Sequence, residues 1–137
     1  DETAGWDVGE YLEQSSRVQA VALIGAPADL ESQYPDWLQT RILSVFGVDG
    51  LAAASPLSYV SPDDPPFYIL HGDADPVVPV GQAVLLHEAL LAAGVRSDLL
   101  LVHNGGHMLE ALAGPTSPDG EDAYAGIFDF LQEVLDP

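Results

Sequence analysis

Cysteine and lysine are both absent from the 137 residues, and only Arg17, Arg41 and Arg96 carry fixed positive charge. Without cysteine there is no disulfide framework and no thiolate nucleophile or metal ligand, and the compartment the chain works in cannot be read from its redox chemistry. Without clustered Lys and Arg there is nothing to neutralise phosphate, which excludes nucleic acid and anionic membranes as partners. No apolar run approaches the roughly 18 residues that a spanning helix needs. There is also no initiator Met or basic-then-apolar leader before Asp1-Glu2-Thr3-Ala4-Gly5, so translation is expected to begin upstream of residue 1.

What is present is an acidic chain with a real core. The 22 acids give a formal charge of -19, while 47% of residues are hydrophobic, so a disordered acidic tail is ruled out and one soluble globular unit is expected. Two readings of the charge stand side by side. A salty milieu would screen it, or further chain outside these residues would balance it.

Elements follow from punctuation. Residues 17–25 read as a first strand stopped by Gly25-Ala26-Pro27. Residues 5–14 are a loop or short turn, with Trp6 and Tyr11 as its anchors. From Asp36 to Phe46 the apolar spacing is helical, entered through Pro35 and left at Gly47. Residues 50–54 form a second short helix. A Pro-rich approach, Ser61-Pro62-Asp63-Asp64-Pro65-Pro66, leads into a strand over residues 67–70. Helix 80–93 follows, with Ala83, Leu86, Leu90 and Ala93 on one face and Gly94 as its stop. Then come strand 98–103, a polar loop at 115–120, and a closing helix over 121–135 whose apolar face is Tyr124, Ile127, Phe128, Phe130, Leu131 and Val134. Strands alternating with helices predict an α/β fold: a parallel sheet of about three strands flanked by helices. Such a sheet has exposed outer edges, so at least one edge is expected to pair with strands outside this chain.

The chemistry gathers after the second and third strands. Loops leaving neighbouring parallel strands about 4.8 Å apart bring side chains within hydrogen-bonding reach. Asp75 and His107 are therefore candidate partners, an acid that fixes the tautomer of an imidazole. The plain alternative for Asp75 is a turn-former bonding its own backbone ahead of Pro76. Asp73 forms an Asp-x-Asp pair with Asp75, but further spaced oxygen ligands are lacking, so it is read as a loop brace and no metal site is assigned. His71 is expected to be buried and to brace the acid loop. His103 lacks the glycines that precede His107. His87 belongs to helix packing or surface, and Asp119, Glu121 and Asp122 favour a helix start. Trp37 and Phe46 are expected to pack in the core, with lining a pocket as the alternative.

His71-Gly72-Asp73-Ala74-Asp75-Pro76-Val77-Val78-Pro79, followed by Asn104-Gly105-Gly106-His107, resembles the carboxyl-terminal half of an α/β-hydrolase. The likeness is to the small carboxylesterase and acetylesterase branch near the hormone-sensitive-lipase and prolyl-oligopeptidase relatives. It extends to Ser15-Ser16-Arg17-Val18-Gln19-Ala20-Val21, Gly25-Ala26-Pro27-Ala28-Asp29-Leu30 and Ala54-Ser55-Pro56, and covers residues 11–135. It implies that residues 1–137 are the carboxyl-terminal part of one α/β-hydrolase domain, with residues 28–54 a helical excursion. It places the triad acid on Asp75 and the triad base on His107. A Gly-x-Ser-x-Gly elbow is absent, so the nucleophile and the oxyanion segment are expected outside this chain, upstream or on a second chain.

The implied function is a serine carboxylesterase acting on a small acyl ester, possessing no cofactor and inactive as these 137 residues alone. The alternatives are a prolyl-oligopeptidase-like serine peptidase, or a non-catalytic fragment that docks or forms a homo-oligomer through its open sheet edge. Substrate-binding residues are not assigned.

Overall fold

The computed structural model of the chain describes residues 10–11, 13–32 and 34–136. Strands β1 (Val21–Ile24), β2 (Phe67–Gly72) and β3 (Ser97–Val102) form one parallel sheet in the order β1-β2-β3. Helices α1 (Asp36–Phe46) and α2 (Leu51–Ala54) and a 3-10 turn (Pro56–Tyr59) lie between β1 and β2. Helix α3 (Gly81–Ala92) connects β2 to β3, and α4 (Gly120–Leu135) closes the chain.

The central strand is apolar from Phe67 to Leu70 because both of its faces are covered. Ile69 packs with Ala83, Leu86 and Leu90 of α3 and with Val95. Its neighbour Leu70 points the other way and packs with Val102, Leu109 and Ala123, the last from α4. Fully burying a Leu of this kind contributes about 1.5–3 kcal/mol, so the 0% exposure of Leu70 and Leu90 marks where the sheet is anchored.

The outer strand β1 is shorter than the expected span 17–25. Val21 pairs with Phe67, so the residues before Val21 face Pro66 and Pro65, which have no N–H to give to a ladder. The third strand starts and ends one residue earlier than expected. His103 has left the ladder and exchanges backbone hydrogen bonds with Ser117 instead.

Helix α1 has the expected limits, with Pro35 before it and Gly47 at φ +66° after it. Its side chains do not behave as expected. Only Ile42 is buried, in a cluster with Leu30, Tyr34, Leu51 and Val78, while Trp37 is 53% and Val45 72% exposed. The helix lies off the sheet, so one stripe finds a partner and the rest faces outward.

On α4, Phe130 is buried but Phe128 is 72% exposed, contrary to the expected face. Two residues along a helix rotate the side chain by about 200°, so both cannot point inward. Asp119 caps this helix by accepting the Asp122 amide at 2.9 Å, with Glu121 and Asp122 in its first turn as expected. Tyr11 is 71% exposed and anchors nothing by burial. Trp6 lies outside the described residues.

Candidate active site

The site forms where all three strands end. β2 stops at Gly72, and a Cβ there would collide with the carbonyl oxygens of Gly105 and Gly106. The turns after β2 and β3 therefore meet main chain to main chain. Asp73 N donates to Val102 O at 3.0 Å and Ala74 N to Gly105 O at 3.1 Å.

This stitching delivers Asp75. Its side chain is completely buried. Oδ1 accepts the amides of Val77 and Val78 at 2.7 and 3.0 Å, the turn-forming bonds. Oδ2 stands 2.9 Å from His107 Nδ1 and 3.2 Å from His71 Nε2. The two readings of Asp75 are compatible: one oxygen builds the turn while the other faces the imidazoles.

His107 comes from the turn after β3, which closes through Gly106 N to Glu110 O at 2.8 Å and passes through Leu109, buried at φ +64°. A left-handed backbone at a residue that carries a side chain persists only where the surroundings hold it. Its side chain is 34% exposed, against 0% for Asp75, so one edge of the ring is held and the other is reachable. The third strand end supplies clearance. Gly25, at φ +56°, lies so close that a Cβ would be 3.0 Å from His107 Nδ1.

Asp73 does brace the loops. Its Oδ2 bonds His103 Nδ1 and its Oδ1 accepts the Asn104 amide, both at 2.8 Å. The His103 hydrogen bond, followed by the Asn104 amide, holds the Asp73 carboxyl below the usual carboxylate range against the opposing effect of burial. His103 is thus committed to Asp73 and stands apart from the Asp75–His107 pair. His71 is fully buried with Nε2 at 2.9 Å from Val78 O, bracing the acid loop as expected. His87 packs through Nδ1 on Ser97 Oγ at 2.9 Å.

A cavity of about 540 Å³ opens beside His107, lined by Tyr34, Leu38, Ile42, Phe46 and Val78 among others. Phe46, expected in the core, lines this cavity and is 45% exposed.

The wall beside it hangs on Gln82, a residue the sequence reading passed over. Its buried Oε1 accepts Ala28 N at 2.9 Å, Asp29 N at 2.7 Å and Tyr34 Oη at 2.9 Å. The signal was available: Gln82 lies on the same stripe as Leu86 and Leu90, a polar residue on an apolar face. The Tyr34 hydroxyl is pushed up to about 12, first by burial and then by Asp29.

The BD-FAE family model matches residues 6–90, more than half of the chain. The chain belongs to the BD-FAE family. The matched span includes β1, β2 and Asp75 and ends before His107.

Among relatives, the chain is 52% identical over 42 residues to esterase LipQ of Mycobacterium tuberculosis, covering 31% of this chain and 10% of that protein. It is 35% identical over 96 residues to the non-reducing polyketide synthase ascC of Acremonium egyptiacum, covering 69% of this chain and 4% of that one. Among solved structures, the propionate-bound esterase Est2 of Thermogutta terrifontis superposes with a TM-score of 0.69 at 26% identity, covering 91% of this chain and 46% of that one. A bifunctional GH43-CE protein of Bacteroides eggerthii gives 0.68 at 29% identity, covering 93% and 17%.

This BD-FAE chain spans less than half the length of each of these proteins. Its fold is that of the α/β-hydrolase esterases, three parallel strands flanked by helices, consistent with their carboxyl-terminal part.

Proposed function

We propose that residues 1–137 are the carboxyl-terminal part of one α/β-hydrolase domain of a serine carboxylesterase, with residues 28–54 as a helical excursion. Asp75 and His107 are then two members of a Ser-Asp-His triad. The observation that carries this reading is the 2.9 Å contact from His107 Nδ1 to a buried Asp75 oxygen at the carboxyl ends of the strands. The esterases among the relatives favour an ester over a peptide bond, and the largely apolar cavity beside His107 suits a small acyl group.

Each step uses side chains and water. A serine outside these residues, on the same or a second chain, attacks the ester carbonyl while His107 Nε2 takes its proton and Nδ1–H remains bonded to Asp75. The imidazolium gives that proton to the leaving alkoxide, leaving an acyl-serine. Water then attacks the acyl carbon, again losing its proton to Nε2, and the acid departs as the serine is reprotonated. Asp75 orients the ring and stabilises its charged form throughout.

The test is hydrolysis of p-nitrophenyl acetate, alongside a peptide panel, by the protein carrying its upstream sequence. His107→Ala should lower kcat by roughly 10⁶ and Asp75→Asn by roughly 10⁴. The 137-residue chain alone should be inert. Cleavage of peptides only would replace the esterase by the peptidase, and full activity in His107→Ala would remove the triad assignment.

A further inference from the structure

His71 occupies the position before the last in β2 and has no exposed surface. Its Nε2 is 2.9 Å from Val78 O and 3.2 Å from Asp75 Oδ2. A carbonyl and a carboxylate oxygen both accept, so the nitrogen between them must donate. The other ring nitrogen, Nδ1, is buried with no hydrogen-bond partner among the described residues. Moving the proton to Nδ1 would bury an unpaired donor and turn the Nε2 lone pair toward two oxygens, so the surroundings select the tautomer protonated on Nε2.

The oxygen that His71 touches is the one facing His107. Asp75 thus has three hydrogen-bond donors, the Val77 and Val78 amides on Oδ1 and His107 on Oδ2, with His71 Nε2 standing 3.2 Å from Oδ2 beside them. His71 also holds Val78 O, the carbonyl of the turn whose amides fix Oδ1. An apolar residue of similar volume would fill this place in the sheet without leaving a buried nitrogen bare. A residue that carries such a cost is informative where the alternative is simple packing.

We propose that His71 is a positioning residue, whose Nε2–H holds Val78 O and stands against Asp75 Oδ2, fixing the acid turn so that the carboxylate's accepting direction points at His107. The consequence for catalysis rests on the proposed function; the geometry does not.

The test reads geometry on the protein carrying its upstream sequence. Long-range ¹H–¹⁵N spectra of the histidine rings should show His71 protonated on Nε2 alone. In His71→Phe, which keeps bulk but cannot donate, the His107 Nδ1–H proton should exchange with solvent roughly tenfold faster or more. His71→Gln places an amide nitrogen near the former Nε2 and should restore slow exchange. Sheet amides should remain protected in all three, which separates positioning from loss of fold. A His71 ring protonated on Nδ1, equal exchange in all three proteins, or a Gln variant as fast as the Phe variant would overturn the proposal. If His71→Phe does not fold, the wild-type tautomer and the Gln variant decide it. None of these readouts needs ester hydrolysis, so failure here leaves the esterase reading standing, and failure of that reading leaves these outcomes unchanged.

Discussion

Gly72 and Gly105 pack backbone against backbone, and the space that a side chain on residue 72 would need is taken by the carbonyl oxygens of Gly105 and Gly106. Because neither neighbour is a flexible side-chain end, Gly72→Ala must displace main chain. It should cost roughly 1–3 kcal/mol, the range for overpacking. Urea unfolding measures this, with Gly81→Ala as the control because a Cβ there meets nothing within 4 Å. Equal stability of the two variants would mean that the turns are not packed as described.

Gln82 holds three donors at once, two of them main-chain amides. Gln82→Met keeps the length of the side chain and removes the acceptor, leaving the Ala28 and Asp29 amides unanswered. The expected loss is on the order of 2 kcal/mol or more. Denaturant titration should show it, and hydrogen exchange should speed at residues 28 and 29 ahead of those in β2.

Tyr34 gives a pH dependence at the alkaline end. Burial, aided by Asp29, raises its hydroxyl from 10.0 to about 12, so the folded chain keeps this proton where the unfolded chain gives it up. The stability linked to it is complete below pH 10 and is lost as pH rises toward 12. Unfolding free energy measured across that window should fall more steeply for wild type than for Tyr34→Phe. Tyr68 shifts in the same direction, first through burial and then through Asp98 and Asp129, so some slope should remain in the variant.

Arg96 grips Glu133 with two 2.9 Å bonds and Asp98 with bonds of 3.1 and 2.8 Å, and its guanidinium lies 5.3 Å from the centre of the Phe130 ring. These contacts tie the start of β3 to α4. Arg96→Ala should lower the melting temperature, and Arg96→Lys should recover only part, since an ammonium cannot form the paired fork. The exposed ion pairs weaken in salt, so the gap between wild type and Arg96→Ala should narrow as NaCl is added. Wild type itself should melt higher in salt as its -19 charge is screened. A flat response would indicate that self-repulsion contributes little.

How much of this was legible beforehand depends on whether the deciding contact was local. The limits of α1 were readable because Pro35 and Gly47 act on their own stretch of chain. The start of β1 was not, because the residues that limit its pairing, Pro65 and Pro66, lie in a distant stretch of chain just before β2. Asp75 and His107 could be paired from their places after successive strands. The closeness of Gly25 to that pair could not, since it depends on three turns converging. On α4, apolar residues surround much of the helix, and nothing in the spacing told Phe128 from Phe130. Gln82 was a missed opportunity, its polarity standing out on an otherwise apolar stripe.

The bonds from Asp73 and Ala74 to Val102 and Gly105 also bear on how such a domain can be recombined. The turns after β2 and β3 are packed on each other, so a chimera whose junction falls in α3 between them would join turns shaped for different partners. Residues 71–110 are the natural unit of exchange, a block that carries the acid, the imidazole and their mutual register in one piece.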